Sequence, residues 1–455
     1  MRVMGAWAAV CCAWIVGCTA TPIAGTPATA DATASAAGLD GAAGQGVRPT
    51  DAAPLTTAAS GAAASEAETG THVPPALRPV PGPAEAMARA RASAGRGLAW
   101  IIANQRPDGS FGTFESPRAR EIFLDTQASH RAFHTATSAL VCWALIAPAR
   151  TDPAAAAALD RGLAWLEAQG EVGRASGNTF YSVWSHTYLV ELATSILAEP
   201  GLARHHARWR TILEREVLVL RREQSAEGGW AYYDFNHVGQ NPSGNESTSF
   251  NTAAIIEALL NAAGQGVAAP EGTLADAVRC VERMRIPTGA FAYGTYAQLG
   301  VSADYNRAAG ASGRLQVCTL ALHRMAVAGA DGEALLRGAE ILREQHHYIE
   351  IARGRVFPHE AYYRNSGYYY FFGHYYAARV LQSAPAGPRR DLLVRWLAEQ
   401  MAIDQNADGS WFDYPLYGYG FAYATGFAMR TLEILDPMLA AQAGAAEADA
   451  ARPAP

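Results

Sequence analysis

Six amphipathic segments alternate along the chain with six segments that are nearly free of charge. The amphipathic segments carry Arg and Glu on one face and end at Gln105, Gln169, Gln224, Arg285, Gln345 and Gln400. The more apolar segments start at His134, His186, Asn251, Cys318, His374 and Ala424. Apolar residues at the helical period predict an amphipathic helix, and a helix that is apolar on all sides is predicted to be buried. The pattern therefore predicts twelve helices in six pairs, repeating about every 60 residues.

Gly-rich turns follow several of the amphipathic segments. They read PDGSFG at 107–112, EGGWAYYD at 227–234, TGAFAYG at 288–294 and NADGSWFDYP at 406–415. Glycine adopts the left-handed backbone that ends a helix, and the aromatic residue after it can pack back over the turn. We therefore predict an all-α fold, an (α/α)6 toroid in which the amphipathic helices form the outer ring and the apolar helices form the inner ring.

The repeated Gln and Gly-rich turns resemble those of squalene/hopene cyclases and protein prenyltransferase β-subunits. The resemblance covers nearly all of the predicted folded region, residues 84–438. It implies a central, aromatic-lined cavity that binds an apolar or isoprenoid-like small molecule. The acidic DxDD motif with which the cyclases protonate an alkene is absent from the sequence, and Asp125-Thr126 is only weakly similar to it. Whether the protein is an enzyme therefore stays open.

The prenyltransferase subunits hold zinc through an Asp, a Cys two residues later and a His about one repeat further on. Cys318 and His374 resemble that Cys and that His in sequence context and in spacing. Gln316 stands where the Asp is expected, and a neutral amide is a poor zinc ligand. The resemblance thus implies a zinc cofactor whose ligand set is incomplete.

Polar residues share one position when the apolar helices are aligned on their starts. They are His134, His186, Asn251, Cys318 and His374. In a toroid this position would ring one end of the central cavity. Three interpretations stay open: hydrogen-bonded residues beside a wet cavity, metal ligands, or groups that contact a ligand directly.

Aromatic and charged residues near the helix starts supply further candidates for the cavity mouth. Tyr369 and Tyr375 lie in SGYYYFFGHYY at 366–376, and such rings stabilise cations, stack on sugars or line apolar pockets. Asp234, Asp304 and Arg307 lie in long connecting segments. Two carboxylates that face one cavity would support a glycosidase or lyase, so a carbohydrate-active enzyme is the alternative function. A structural envelope protein that docks a partner is another.

The two ends of the chain differ from its centre. Arg2 precedes an apolar stretch that ends in Ile15-Val16-Gly17-Cys18. This stretch resembles the lipobox of bacterial lipoproteins, which implies lipidation of Cys18 and, because Thr19 follows, anchoring to the outer membrane. An ordinary secretion signal is the alternative, and either one exports the chain. Residues 19–83 and 439–455, rich in Ala and other small residues, are predicted to form a disordered tether and tail.

Charge and cysteine content narrow the possible partners. The net charge of −6 and the lack of a dense basic run exclude nucleic acid as the expected partner, and we expect a monomer. Beyond the leader remain Cys142, Cys280 and Cys318, an odd number that cannot all pair with one another. Cys142 and Cys280 are predicted to be core residues.

Overall fold

Twelve helices of ten residues or more make up the described part of the chain. The computed structural model describes residues 78–115, 129–234, 246–296 and 303–451. In chain order the helices are α1 (Pro83–Ala103), α2 (His130–Leu145), α3 (Pro153–Glu167), α4 (Ser182–Ala198), α5 (His206–Glu223), α6 (Ser249–Gly264), α7 (Thr273–Arg283), α8 (Leu315–Arg324), α9 (Gly332–Glu350), α10 (Tyr370–Ser383), α11 (Pro388–Ile403) and α12 (Gly420–Ala450). Within these ranges, β structure is limited to isolated bridges. The predicted all-α class is confirmed.

The even-numbered helices form a closed inner ring. Each contacts the next in the order α2, α4, α6, α8, α10 and α12, and α12 returns to contact α2. The odd-numbered helices pack outside them, and α12 also contacts α1. The first and last helices therefore close the toroid that the alternating pattern predicts.

Burial separates the two rings as the hydrophobic pattern predicts. Inner helix α6 is buried over nearly its whole length, whereas outer helix α7 buries one face through Ala277, Val278, Cys280 and Val281. Five of the inner helices start three or four residues before the predicted position, and α6 starts two residues before it. The preceding polar and aromatic residues also take helical backbone, because tertiary packing overrides their weak helix propensity.

A Gln side chain braces the Gly-rich turn of the third repeat against the next outer helix. Gln224 Nε2 donates to the carbonyl oxygens of Gly228 at 2.6 Å and of Thr273 at 3.0 Å. Gly228 has a φ of 92°, and a Cβ there would lie 2.6 Å from the carbonyl oxygen of Asp276. The turn therefore requires glycine, and the side chain of Gln224 ties two repeats together.

The same brace recurs in the first and last repeats. Gln105 binds the carbonyls of Gly109 and Ala158, and Gln405 binds those of Gly409 and Ser93. The sequence pattern placed the Gln of the last repeat at Gln400, five positions before Gln405. This prediction was wrong because α11 continues to Ile403.

The predicted disordered tail is also corrected. Helix α12 continues through Ala450, and Leu439 and Ala443 are buried on it. These apolar positions give residues 439–450 a face to pack, which the Ala-rich composition concealed. The predicted leader, Cys18 and most of the predicted tether lie outside the described residues. No helix of the described chain is both long and apolar enough to cross a membrane.

Candidate functional site

One end of the toroid carries all the long connections. Those from an outer helix to the next inner helix span 104–129, 168–181, 224–248, 284–314, 351–369 and 404–419. Those in the opposite direction are shorter and span 146–152, 199–205, 265–272, 325–331 and 384–387. We call the first end the mouth and the second end the base. Binding residues concentrate in loops that a rigid scaffold positions, so the mouth is the candidate site.

Six aromatic residues lie near the starts of the inner helices. Four are partly exposed and two are buried beneath them: Trp184, Tyr232, Tyr368, Tyr423, Phe250 and Phe372. We call these six residues the mouth cluster. The Trp184 and Phe250 rings stack 6.2 Å apart, and Tyr232 lies 6.3 Å from Phe250. The hydroxyl of Tyr423 donates to the carbonyl of Tyr368 at 3.0 Å. Tyr369 contacts both Tyr368, at 4.4 Å, and Phe250, at 5.1 Å, so side chains from four repeats belong to one group of aromatic rings.

Aromatic rings from different sides of the inner ring meet within the mouth cluster and below it. Trp184 of α4 lies 6.1 Å from Phe372 of α10, which is the opposite inner helix. One level further toward the base, Tyr188 lies 5.8 Å from Phe427. These separations are those of rings in contact. The aromatic residues that the sequence predicts are present, but at these levels they contact one another across the inner ring.

Buried charges occupy the base end of the inner ring. Glu257 is fully buried on α6, and its Oε2 accepts hydrogen bonds from Arg324 at 2.9 Å and from Arg379 at 3.4 Å. Glu191 on α4 accepts from Asn261 at 2.8 Å, and burial raises the pKa of Glu191. We call these five residues the base cluster. Sequence reasoning missed it, although Glu257 is the one charge within the apolar run NTAAIIEALL, and a buried charge requires a partner.

Two of the aligned histidines turn toward the outer helices rather than into the centre. His186 Nδ1 lies 2.5 Å from Oε2 of Glu216 on α5. His374 Nε2 lies 2.9 Å from Nε2 of His346 on α9, and His374 Nδ1 donates to the carbonyl of Tyr370 at 2.6 Å. The inner helices begin a turn earlier than predicted, so this position lies on the flank between the rings. The prediction that it rings the cavity is wrong for both residues.

Cys318 and His374 do not fit a zinc site. The buried thiol of Cys318 donates to the carbonyl of Arg314 at 3.5 Å, and burial raises the pKa of this thiol to about 12, whereas zinc takes the thiolate. Both ring nitrogens of His374 are hydrogen-bonded. Gln316 donates to the carbonyl of Gly338 at 3.0 Å. Across the described ranges, no three His, Cys, Asp or Glu side chains are grouped to hold a metal ion.

The remaining two aligned residues, His134 and Asn251, have different surroundings from each other. His134 lies 4.5 Å from the Trp165 ring of α3, and burial lowers the pKa of His134 to about 4. Asn251 is fully buried, and neither polar atom of its amide has a hydrogen-bond partner. Cys142 and Cys280 are buried free thiols, as predicted.

The other predicted site residues separate into three places. Tyr369 is next to the mouth cluster, 5.1 Å from the Phe250 ring. Tyr375 lies deeper and accepts a hydrogen bond from Arg379 at 3.2 Å. Asp234 is buried 3.9 Å from Arg174, whereas Asp304 and Arg307 are exposed and form an ion pair with each other at 3.6 Å. The structure therefore does not bring Asp234 and Asp304 together as a catalytic pair. Asp125 and Thr126 lie outside the described residues.

His374 and His346 belong to a polar network between α9, α10 and α11. The Tyr370 hydroxyl donates to Asp404 Oδ2 at 2.5 Å and lies 3.2 Å from His346 Nε2. Arg353 pairs with Asp404 Oδ1 at 2.9 Å. Burial lowers the pKa of His374 to about 4, although the carbonyl of Tyr370 and the carboxylate of Asp404 act in the opposite direction. Burial also holds the pKa of His346 well below its ordinary value, and His374 and Arg353 lower it further. Both histidines are therefore neutral in the folded protein near neutral pH.

Acidification from pH 6.5 to 4 is expected to destabilise the fold through His374. The unfolded residue takes a proton near pH 6.5, whereas the folded one does so at about 4. The unfolded state therefore binds more protons in this window, and the free energy of unfolding falls by about 1.4 kcal/mol per pH unit for this residue as the pH falls. Urea unfolding at pH 7, 6 and 5 should show a shallower pH dependence in the His374→Gln variant. Parallel profiles for the two proteins would contradict the assignment.

No known protein family matches the chain, and no curated protein matches it. Among solved structures, it is similar to an inactive variant of an α-1,6-mannanase of Salegentibacter in complex with α-1,6-mannotetrose. The sequence identity is 10% and the TM-score is 0.48, and the match covers 77% of this chain and 99% of that one. It is also similar to a variant of the type II terpene cyclase MstE from Scytonema, with 13% identity, a TM-score of 0.46 and coverage of 78% and 99%. A protein from Actinoplanes has 16% identity and a TM-score of 0.43, with coverage of 76% and 99%.

Proposed function

We propose that the protein binds an apolar or isoprenoid-like small molecule on the mouth cluster. The observation that carries this proposal is the set of four partly exposed rings, Trp184, Tyr232, Tyr368 and Tyr423, above buried Phe250 and Phe372. Ligand sites in soluble proteins are lined mainly by apolar and aromatic side chains of this kind. Because the rings are held by one another and by the inner helices, little side-chain freedom is lost when a ligand binds.

The closed centre sets the form of the ligand. Trp184 and Phe372 meet across the inner ring, so a ligand lies on the aromatic surface instead of threading deeply through the toroid. The three tyrosine hydroxyls are hydrogen-bonded within the protein, to Tyr293, to His359 and to the carbonyl of Tyr368, so the rings supply the contact surface. The six residues of the mouth cluster include no carboxyl group, so the proposal is for binding and assigns no acid–base step. The leader ending in Cys18 supports a second part of the proposal, that this binding takes place at a bacterial outer membrane.

Loss of the Trp184 ring is expected to weaken ligand binding at least about tenfold, as for an aromatic residue at the centre of a binding site. The measurement is equilibrium binding of radiolabelled geranylgeraniol, below its solubility limit, to the wild type and to Trp184→Ala. Trp100→Ala is the matched control, because Trp100 is also partly buried but lies on outer helix α1, 6.5 Å from Phe421. Circular dichroism verifies that both variants are folded.

Two results would overturn the proposal. One is a wild-type protein that binds no geranylgeraniol. The other is an equal loss of binding in the Trp184 and Trp100 variants, because a general effect on folding would then account for it.

A further inference from the structure

A second concave site lies on the outer side of the mouth, away from the mouth cluster. It has a volume of about 470 Å³ and is lined by Asp304, Arg307, His347, Tyr348, Tyr362 and Tyr363. The residues come from the end of α9 and from two connecting segments that precede inner helices α8 and α10. We call this site the rim groove. Asp304 and Arg307, which the sequence indicated as candidates for the cavity mouth, belong to it.

The rim groove combines aromatic surface with balanced charge. Tyr362 is 69% exposed, more than any other large hydrophobic residue of the described chain. Tyr348 and Tyr363 meet at right angles with their ring centres 4.7 Å apart. Asp304 and Arg307 pair at 3.6 Å, and each keeps more than half of its side chain exposed. The groove thus offers ring faces, hydrogen-bond donors and an acceptor. The one negative charge of Asp304 balances the one positive charge of Arg307.

The backbone that presents Tyr362 is held in an unusual conformation. Tyr363 and Arg364 both have positive φ, 57° and 58°, a backbone region that such residues rarely adopt. Asn365 fixes the turn, because its Nδ2 donates to the carbonyls of Tyr362 at 3.3 Å and of Ala309 at 3.0 Å. A Cβ on Gly310 would lie 2.6 Å from the carbonyl of Tyr363, so a close approach of two backbones supports the same turn. Strain held by surrounding structure is concentrated at functional sites.

We propose that the rim groove binds a neutral carbohydrate. A pyranose ring has apolar C–H faces that stack on tyrosine, and its hydroxyl groups both donate and accept hydrogen bonds. Tyrosine supplies the first kind of contact, and the guanidinium, carboxylate and phenol groups supply the second. A strongly anionic or cationic ligand fits less well, because Asp304 and Arg307 offset each other's charge. This site is separate from the mouth cluster, so the proposal does not depend on the apolar ligand proposed above.

The test is calorimetric titration of the full chain with neutral tetrasaccharides built from glucose, mannose or N-acetylglucosamine. At least one of them is expected to bind, and Tyr362→Ala is expected to weaken that binding about tenfold or more, whereas Tyr362→Phe keeps the ring and most of the affinity. Tyr296→Ala is the matched control, because Tyr296 is also exposed, at 51%, but does not line the groove. Tyr362 is a surface residue, so its loss should leave the folded state intact.

Three outcomes would overturn the proposal. The first is that none of the neutral tetrasaccharides binds at 10 mM, on the order of the weakest specific affinities. The second is that the Tyr362 and Tyr296 variants lose affinity equally. The third is that a sulfated tetrasaccharide binds more tightly than every neutral one. The third outcome would assign the groove to anions through Arg307. Geranylgeraniol binding should be unchanged in Tyr362→Ala, so failure here is distinguishable from failure of the mouth cluster.

Discussion

A single methyl group at position 373 is expected to destabilise the toroid by about 3 kcal/mol, the upper end of the usual cost of overpacking. Gly373 lies on inner helix α10 and faces the backbone just before α8. A Cβ at this position would lie 2.7 Å from both the Cα and the carbonyl oxygen of Gly313. Neither atom belongs to a flexible side chain, so the two elements must separate to accept Gly373→Ala. Chemical denaturation of this variant measures the loss.

Gly95→Ala is the matched control for this substitution. Gly95 lies within helix α1 and is exposed, and a Cβ there meets nothing within 4 Å. Because alanine has the higher helix propensity, we expect this variant to be more stable than the wild type by up to about 1 kcal/mol. Equal stability changes in the two variants would contradict the close approach of α10 to Gly313.

The Glu257→Gln variant is expected to lose about 3 kcal/mol of stability, the usual cost of breaking a buried ion pair. Its carboxylate is fully buried, and the arginines that it binds are mostly buried, with 28% of the Arg324 side chain and 16% of the Arg379 side chain exposed. Loss of the negative charge leaves two positive groups facing each other at the base of the toroid. Urea unfolding at pH 7 measures the change.

A double-mutant cycle separates the ion pair from simple loss of packing. Glu257→Gln combined with Arg379→Met should cost less than the sum of the two single changes, because the second substitution removes one of the two positive charges that the first leaves without a partner. Glu344→Gln is the control, because it breaks the pair with Arg337, in which about half of each side chain is exposed; surface pairs contribute at most about 1 kcal/mol. Additive costs in the cycle would show that the base cluster contributes through packing alone.

The sequence predicts the fold well because the fold depends on periodic properties. Helical period, apolar content and Gly-rich turns all recur, so an error in one repeat is corrected by the others. The braces from Gln105 and Gln224 lie where the pattern places them. Boundaries are harder to predict, because the first turn of an inner helix such as YFFG in α10 is fixed by tertiary packing, and the residue before it, Tyr369, is not one that caps helices.

The candidate site was predicted less well for a geometric reason. One residue step along a helix rotates a side chain by about 100°, so a small error in the helix start moves a residue from the centre to the flank. His186 and His374 illustrate this, since both turn toward outer helices. Trp184 and Phe372 lie two residues before them in the sequence and reach the centre instead. Asp304 and Arg307 were predicted for the cavity mouth, but which concave surface they line depends on His347 and Tyr348 at the end of α9.

The contact of α12 with both α1 and α2 has a consequence for how the chain is made. The two ends of the folded region lie side by side, so the ring stays open until the final helix has left the ribosome. Before then, α2 and α10 expose apolar surface that only α12 covers. For the same reason, the closed ring does not depend on where the chain starts. A circular permutant that joins the original ends and is cut in a short connection at the base would retain every neighbour of every helix.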